Sequence, residues 1–197
     1  MFLPCDVMVP GQLEAVFEAV DKKWGKLDFL IHSIAFSPLA DLHGRVVDCS
    51  LEGFKMAMDV SCHSFIRMAK LSEPLMKDGG ALITMSYDGA NTVIPNYNMM
   101  GPVKAALEST TRYLAMELAE KRIRALVVSP GPMRTRAASG IKGFNELVEL
   151  AEKKVPHYEE MNIDDIGAVT AFLVSDAARS LNGYTYYVDH GLSLIGI

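Results

Sequence analysis

The sequence predicts an α/β fold: a Rossmann-like, doubly wound parallel sheet with helices on both faces. Short runs that are apolar throughout, at 27–36, 80–89 and 123–132, are typical of strands buried on both sides. Longer amphipathic patterns separate them, and this alternation of strand and helix indicates a parallel sheet. The sequence contains no internal repeat, low-complexity segment or long linker, so we expect a single Rossmann-like domain over 1–197.

Individual elements follow in a regular order. Residues 2–7 are strand-like but are interrupted by Pro4, and residues 12–25 have apolar side chains at helical spacing before Gly25. The later helix patterns cover 53–79, 103–121 and 164–176, and a last strand pattern covers 183–191. The weakest pattern, 134–162, is rich in Arg, Gly, Lys and Glu, and we interpret it as a substrate-binding loop or lid.

Composition restricts the possible functions. Half of the 197 residues are hydrophobic, and the net charge of -5 comes with scattered lysines and arginines, so we expect no nucleic-acid partner. No apolar run approaches the ~18 residues of a membrane span, and the N-terminus does not resemble a signal peptide. Neither the three cysteines nor the five histidines have metal-ligand spacing. We expect a soluble, cytoplasmic protein with reduced thiols and no metal site.

The carboxyl ends of the predicted strands indicate where a ligand binds, because ligands of open parallel sheets bind beyond those ends. Small or polar residues lie there, where a strand would otherwise continue apolar. They are Asp6, the segment 33–36, Ser86 with Tyr87, and the segment 130–135. Together they predict a binding site along one rim of the sheet.

Tyr97 and Lys104 follow one of these strand ends and are seven residues, or two helical turns, apart, which is ~10 Å along a helix axis. Pro102 lacks an N–H group and fits only in a first turn, so Tyr97 should lie at or just before the helix start. A lysine ammonium beside the phenol would lower the tyrosine pKa, and it could also hold a ribose. Such a tyrosine could donate a proton or stabilise an oxyanion. By itself, however, an isolated pair of this kind more often belongs to an exposed, non-functional helix face.

Several ordered motifs carry a resemblance to a known family. They are "HSIAFSP" (32–38), "SYDGA" (86–90), "PNYNMMGPVK" (95–104), "GPMRTRAASGIKGF" (131–144) and "YYVDHGLSL" (186–194). From about Cys5 onward the chain resembles the enoyl-acyl-carrier-protein reductases of bacterial fatty acid synthesis, a divergent branch of the short-chain dehydrogenase/reductases. Ordinary members of that superfamily separate tyrosine and lysine by four residues, whereas here position 100 is methionine.

The resemblance implies roles for individual residues. Tyr87, Tyr97 and Lys104 are the implied catalytic residues, with Tyr97 binding the thioester carbonyl as the enolate forms and Lys104 binding the nicotinamide ribose. The implied cofactor contacts are Asp6, Val7, Ile34, Lys104, Met133, Arg134, Thr135, Arg136 and Ala137. The implied substrate contacts are Ser37, Tyr87, Met100 and Phe144. For several of these positions a plain structural role is the alternative: Asp6 could cap a turn, and the methionines could fill the core.

The implied activity is hydride transfer from NADH or NADPH to the β-carbon of a trans-2-enoyl thioester on acyl carrier protein, by a homotetramer. A dinucleotide fold, however, begins with a strand, a glycine-rich turn and a helix, and this sequence has no such turn. Its first strand-like run matches the third strand of the family, so we expect residues 2–7 to lack a partner and 27–36 to form a sheet edge. A truncated sequence, a second copy covering the edge, and a non-catalytic remnant that binds acyl chains or partner subunits all remain open.

Overall fold

A four-stranded parallel sheet forms the centre of the computed structural model, which describes residues 1–135, 141, 143–156 and 161–195. The strands lie in the order β1-β2-β3-β4, so each strand neighbours the next along the chain. They are β1 (Phe29–His32), β2 (Gly80–Met85), β3 (Ile123–Pro130) and β4 (Thr185–Val188). All three pairings are parallel, which confirms the predicted sheet.

Helices connect these strands. They are α1 (Gln12–Trp24), α2 (Leu39–Leu42), α3 (Leu51–Met58), α4 (Ser64–Ser72), α5 (Met100–Glu117), α6 (Phe144–Lys154) and α7 (Ile163–Val174). The predicted weak segment 134–162 contains α6, whose Val148 and Ala151 are buried. Among the described residues, none of the helices combines the length and apolar character that crossing a membrane requires.

Helices pack on both faces of the sheet, which confirms the doubly wound arrangement. On one face the strand residues Leu30, Leu82 and Ala125 share a core cluster with buried residues of α1, α4 and α5. On the other face Ile83 and Leu126 pack with buried residues of α7. Because the central strands β2 and β3 are covered on both sides, they consist of nearly continuous apolar residues.

The long helix predicted over 53–79 is not continuous. A π-helical segment, Asp59–His63, separates α3 from α4, and a short 3₁₀ turn ends the run at Glu73–Leu75. Within the π segment, the Ser61 hydroxyl accepts from the Phe36 N–H at 3.0 Å and donates to the Phe36 carbonyl at 3.1 Å. The apolar periodicity could not predict this wide turn, because one extra residue in a helix hardly changes the spacing of the pattern.

Residues 2–7, which are strand-like in pattern, form no strand and, as expected, pair with no other strand. Pro4 supplies no backbone donor, and these residues, all described, form no ladder with β1. Instead, the Val7 side chain enters the core, and its carbonyl accepts a hydrogen bond of 2.8 Å from Arg67 Nη1. The predicted sheet edge is confirmed: β1 lies at one end of the sheet, with Phe29 45% and Ile31 42% exposed.

Candidate active site

Tyr97 lies in a turn just before α5. The helix begins at Met100 and has Pro102 in its first turn, as predicted from the missing N–H group. The flanking Asn96 and Asn98 have left-handed φ angles of 61° and 45°, which asparagine adopts more readily than most residues. The Tyr97 N–H donates to the Ile94 carbonyl at 3.2 Å. This tight turn holds the tyrosine close to the carboxyl ends of the strands.

The Tyr97 ring packs edge-on against Tyr87, with ring centroids 5.1 Å apart and an interplanar angle of 72°. Tyr87 itself follows the end of β2. Two glycines permit this packing: a Cβ on Gly89 would lie 2.4 Å from Tyr97 Cδ1, and one on Gly101 would lie 2.8 Å from the Gly89 carbonyl oxygen. Their missing side chains let the two tyrosines and the first turn of α5 come together.

Apolar side chains surround the tyrosine pair. The buried members of this cluster are Leu42, Ala57, Tyr97, Met99, Met100 and Val103, and Ile141 packs against them. Met100, a predicted substrate contact, is therefore next to Tyr97 in the core. Its packing is what a plain core methionine would show, and its contact with substrate stays a prediction.

Burial raises the pKa of the Tyr97 phenol, and the neighbouring Tyr87 raises it further. The expectation that Lys104 would lower this pKa is wrong, because removing the phenolate from water outweighs any effect of the ammonium. The phenol therefore keeps its proton at neutral pH. In this state Tyr97 can donate a hydrogen bond to an oxygen on which negative charge develops.

Lys104 lies on the second turn of α5 and is only 6% exposed. Its Nζ donates to the Met85 carbonyl at the end of β2, at 2.7 Å. Burial lowers the pKa of Lys104 to about 8, while the Cys62 thiol and the Glu108 carboxylate oppose this effect. The lysine thus contacts the strand end that leads to Tyr87, and it carries a buried charge at neutral pH.

Two further polar contacts at the same strand ends were not predicted as site features. Glu108 Oε1 accepts a hydrogen bond of 2.6 Å from Ser86 Oγ, and both residues are buried. Ser86 already stood at the predicted rim, and Glu108 is four residues after Lys104. The four-residue spacing of Lys104 and Glu108, one helical turn, was therefore a signal in the sequence.

His32, the last residue of β1, forms the second contact. Its Nδ1 lies 2.9 Å from Thr84 Oγ1, and its Nε2 lies 2.8 Å from Ser64 Oγ. Since Ser64 donates its proton to the Val60 carbonyl at 2.6 Å, it accepts from His32 Nε2. Burial lowers the pKa of His32 to about 4, and Lys104 contributes in the same direction. A neutral histidine thus links β1, β2 and α4.

The predicted adenine contacts lie at the start of the chain. Asp6 is exposed, and its Oδ1 accepts from the Met8 N–H at 2.9 Å, so it has the turn role that was its structural alternative. Val7 is buried in the core, and Ile34 packs against the same cluster. Adenine binding by Asp6 and Val7, and cofactor contact by Ile34, stay predictions.

The remaining predicted contacts lie after β3 and around α2 and α6. Met133 packs against the core on the α7 face, and Arg134 Nη1 donates to Asn145 Oδ1 at 2.9 Å. Ser37 is half-buried, with its hydroxyl 3.3 Å from the Pro38 carbonyl, and Phe144 is the first residue of α6. The Thr135 N–H donates to the Met133 carbonyl at 2.9 Å, whereas Arg136 and Ala137 lie outside the described residues.

No group of three or more His, Cys, Asp or Glu side chains within the described ranges is arranged to hold a metal ion.

The fold and the site define an α/β protein whose parallel sheet presents a tyrosine pair and a buried lysine at the carboxyl ends of its strands. A family model described as enoyl-(acyl carrier protein) reductase matches residues 1–193, and the chain belongs to this family.

Individual proteins with related sequences carry the same name. The NADH-dependent enoyl-[acyl-carrier-protein] reductase 1 of Rhizobium meliloti (strain 1021) is 40% identical, over 98% of this chain and 71% of its own length. The corresponding FabI protein of Aquifex aeolicus (strain VF5) is 41% identical, over 100% of this chain and 73% of its own length. These matches agree with the resemblance identified from the motifs.

Solved structures match the fold closely. The enoyl-(acyl-carrier-protein) reductase from Anaplasma phagocytophilum, in complex with NAD, has a TM-score of 0.94 and 41% identity, covering 99% of this chain and 74% of that chain. The Bacillus cereus enoyl-acyl carrier protein reductase with NADP+ and indole naphthyridinone has a TM-score of 0.96 and 36% identity. The match covers 99% of this chain and 76% of that chain. The chain thus spans about three quarters of these proteins.

Proposed function

We propose that this protein is an NADH-dependent enoyl-acyl-carrier-protein reductase that acts in fatty acid synthesis. Its substrate is a trans-2-enoyl thioester, whose β-carbon receives the hydride. The observation that carries this proposal is the buried, protonated Tyr97 packed at 5.1 Å on Tyr87 beside the strand end bound by Lys104. Membership of the reductase family and the NADH-dependent names of the related proteins support it.

Tyr97 is the residue that stabilises the developing charge. Addition of hydride to the β-carbon moves electrons onto the thioester carbonyl oxygen, which becomes an enolate oxygen. A phenol whose proton is retained by burial can donate a hydrogen bond to that oxygen, and it binds the charged state more strongly than the uncharged carbonyl. Tyr87 holds the Tyr97 ring in place and contacts the substrate.

Lys104 fits the ribose of a nicotinamide cofactor. An ammonium group has three donors, and among the described residues the Met85 carbonyl accepts from one of them, so the group can also donate to ribose hydroxyls. NADH, or NADPH in its place, supplies the hydride when it is bound. We assign the nicotinamide contacts to the segment Met133, Arg134, Thr135, Arg136 and Ala137, and the adenine contacts to Asp6 and Val7. Ile34 is a further cofactor contact.

The substrate side of the site includes Ser37, Met100 and Phe144, and we propose that residues 134–162 close over the acyl chain. Two contacts support this. Ile141 packs against the cluster that contains Tyr97, and a Cβ on Gly143 would lie 3.4 Å from Asn96 Nδ2. Ile141 and Gly143 therefore lie against the turn that holds Tyr97.

Calorimetry of the 197-residue chain with NADH and with NADPH, alone and with a crotonyl thioester, tests the proposed function. We expect cofactor binding and NADH-dependent reduction of the thioester. Tyr97→Phe and Lys104→Ala should abolish most of the reduction, while the exposed controls Tyr113→Phe on α5 and Lys70→Ala on α4 should not. Reduction that survives in both site variants would show that the assigned roles are wrong.

A second candidate function is a non-catalytic protein that binds acyl chains or partner subunits. The exposed Phe29 and Ile31 on the edge strand β1 favour it, because an edge with uncovered apolar side chains can bind another chain. A cooperatively folded protein that binds neither NADH nor NADPH would support this function. Hydride transfer by the same chain would exclude it.

We further propose that the protein is cytoplasmic and assembles as a homotetramer. An open groove of about 510 Å³ runs between the α3–α4 region and α5, and its apolar lining includes Phe54, Met58, Ile66 and Ala106. Packing of this groove against another copy would remove these side chains from water. Light scattering of wild type, Ile66→Glu and the exposed control Lys70→Glu tests this assembly. An unchanged mass for Ile66→Glu would contradict the use of this groove.

A further inference from the structure

Glu108 has a buried carboxylate to which the proposed reaction assigns no role. It is 5% exposed, and it lies on the face of α5 that packs on the sheet. The hydroxyl of the buried Ser86 donates to its Oε1 at 2.6 Å. Burying a carboxylate is costly unless hydrogen bonds or a nearby opposite charge compensate, so this arrangement requires an explanation.

A second buried charge, that of Lys104, lies one helical turn before Glu108 on α5. Lys104 and Glu108 are four residues apart on α5, so their side chains leave the same face of the helix. They bind consecutive residues at the end of β2: Lys104 Nζ donates to the Met85 carbonyl, and Glu108 accepts from Ser86. The next residue is Tyr87, whose ring packs on Tyr97. A buried cation and a buried anion thus clamp the strand end that carries the tyrosine pair.

A plain structural hydrogen bond would not need a charged acceptor. A neutral amide oxygen would accept the Ser86 hydrogen bond as well as a carboxylate does, so the charge of Glu108 is not needed merely to satisfy a serine. The negative charge of Glu108 acts instead on the other buried charge of the same helix face, the Lys104 ammonium.

We propose that Glu108 is a positioning residue: held by Ser86, its carboxylate keeps the Lys104 ammonium charged and fixed at the end of β2, where Lys104 binds the ribose. This inference rests on the proposed function for the role of Lys104. Glu108 itself does not touch the reacting atoms. Its contribution is to offset the loss of water around a cation that must stay protonated to donate its hydrogen bonds.

The groups that face Lys104 come from four elements. The Met85 carbonyl belongs to β2, His32 to β1, the Cys62 thiol to the π segment and Glu108 to α5. His32 is neutral near neutral pH, because burial lowers its pKa to about 4. Burial also raises the pKa of the Cys62 thiol, so this thiol is uncharged there as well. Glu108 is thus the anion of this set.

The test is a pH titration of the Lys104 side chain by NMR in the full chain carrying ¹³C-labelled lysine, with the signal assigned by its loss in Lys104→Met. Glu108→Gln keeps an acceptor for Ser86 and removes the charge. We expect the midpoint of Lys104 to move down by about one pH unit. Glu117→Gln, an exposed change on the last turn of α5, should leave the midpoint unchanged.

Ser86→Ala is a second variant that decides the question if Glu108→Gln does not fold. It removes the donor that fixes the carboxylate, so the carboxylate is no longer held near Lys104 and the Lys104 midpoint should move in the same direction by less. Ser129→Ala is its matched control and should have no effect. An unchanged Lys104 midpoint in folded Glu108→Gln, or in Ser86→Ala if only this variant folds, overturns the proposal.

Reduction of a crotonyl thioester by NADH supplies a second readout. The alkaline limb of the pH profile should move to lower pH in Glu108→Gln together with the Lys104 midpoint. A merely structural role would lower the rate by the same factor at every pH, and that result would also overturn the proposal. The NMR titration needs no cofactor, so an inactive wild-type chain would refute the proposed function while the titration still decides the role of Glu108.

Discussion

Tyr97 and Tyr87 form an edge-to-face pair with ring centroids 5.1 Å apart. One ring comes from the turn before α5 and the other from the end of β2, so the pair joins two segments at the rim of the sheet. The same contact helps to raise the pKa of Tyr97. A phenol with an ordinary pKa is already protonated at neutral pH, and this packing extends the protonated state to higher pH. The proposed oxyanion contact depends on that protonated state.

Removing the Tyr97 hydroxyl should reduce kcat much more than substrate affinity. A hydrogen bond that strengthens as charge develops contributes mainly in the transition state, so we expect Tyr97→Phe to lower kcat by roughly 10²-fold. Steady-state kinetics with a crotonyl thioester measures this, and Tyr113→Phe on the exposed face of α5 is the control. A Tyr97→Phe enzyme with normal kcat would contradict the assigned role.

Gly89→Ala should disturb the tyrosine pair without touching a reactive group. The new Cβ would lie 2.4 Å from Tyr97 Cδ1, so the ring has to move. We expect a lower kcat and a loss of stability of about 1–3 kcal/mol from overpacking, measured by denaturant unfolding. Gly167→Ala on α7 is the control, because nothing lies within 4 Å of its new methyl group and helix propensity favours alanine. Equal behaviour of the two variants would argue against a tightly packed Tyr97.

Lys104 should make cofactor binding sensitive to alkaline pH. Its pKa is lowered to about 8, so the ammonium is present below that pH and is lost as the pH rises through it. We expect the affinity for NADH to decrease above about pH 8, measured by calorimetry at several pH values. Lys104→Met should bind NADH weakly at every pH and should lack this transition. An affinity that is constant to pH 10 would show that the Lys104 charge is not used.

Lys104→Met should also change stability at neutral pH. In the unfolded chain the lysine keeps its ordinary pKa, so burial of the charged form opposes folding below about pH 8. Replacing it by an uncharged side chain of similar length removes that cost, but it also leaves the buried Glu108 carboxylate without the nearby cation. We expect the second effect to be the larger, so that Tm falls by a few degrees at pH 7. Thermal unfolding checks this, with Lys70→Met on the exposed side of α4 as the control. A higher Tm for Lys104→Met would mean that the burial of the ammonium outweighs both its coupling to Glu108 and its bond to the Met85 carbonyl.

His32 should make the fold sensitive to acid. Its folded pKa is about 4, below the ordinary 6.5, so the unfolded chain takes up a proton first as the pH falls between these values. The unfolding free energy should therefore decrease by up to about 3 kcal/mol over this window. Urea unfolding at several pH values measures the slope, which should be smaller in His32→Gln.

The exposed His63 supplies the control for this experiment. His63→Gln should keep the acid sensitivity of the wild type, because His63, unlike His32, does not bridge the buried hydroxyls of a strand and a helix. If the pH dependence of His32→Gln matched that of wild type, the acid sensitivity would come from other groups.

Much of the architecture was predictable because it depends on local patterns. The apolar runs predicted β2 and β3, and Pro102 predicted that α5 begins just after Tyr97. The strand-like pattern at 2–7 forms no strand, because a strand needs a neighbour and the expected lack of one is confirmed; Val7 is held by Arg67 instead. The π segment was not predictable, because its wide turn depends on a contact between Ser61 and the backbone of Phe36.

The sequence by itself determined the alternation of strands and helices, the spacing of Tyr97 and Lys104, and the motifs that identify the reductase family. Only the tertiary structure decided that Lys104 binds the Met85 carbonyl, that Glu108 accepts from Ser86, and that burial raises the pKa of Tyr97. The reason is physical. Periodicity and motifs depend on neighbours along the chain, whereas desolvation and hydrogen-bond partners depend on which distant segments pack together.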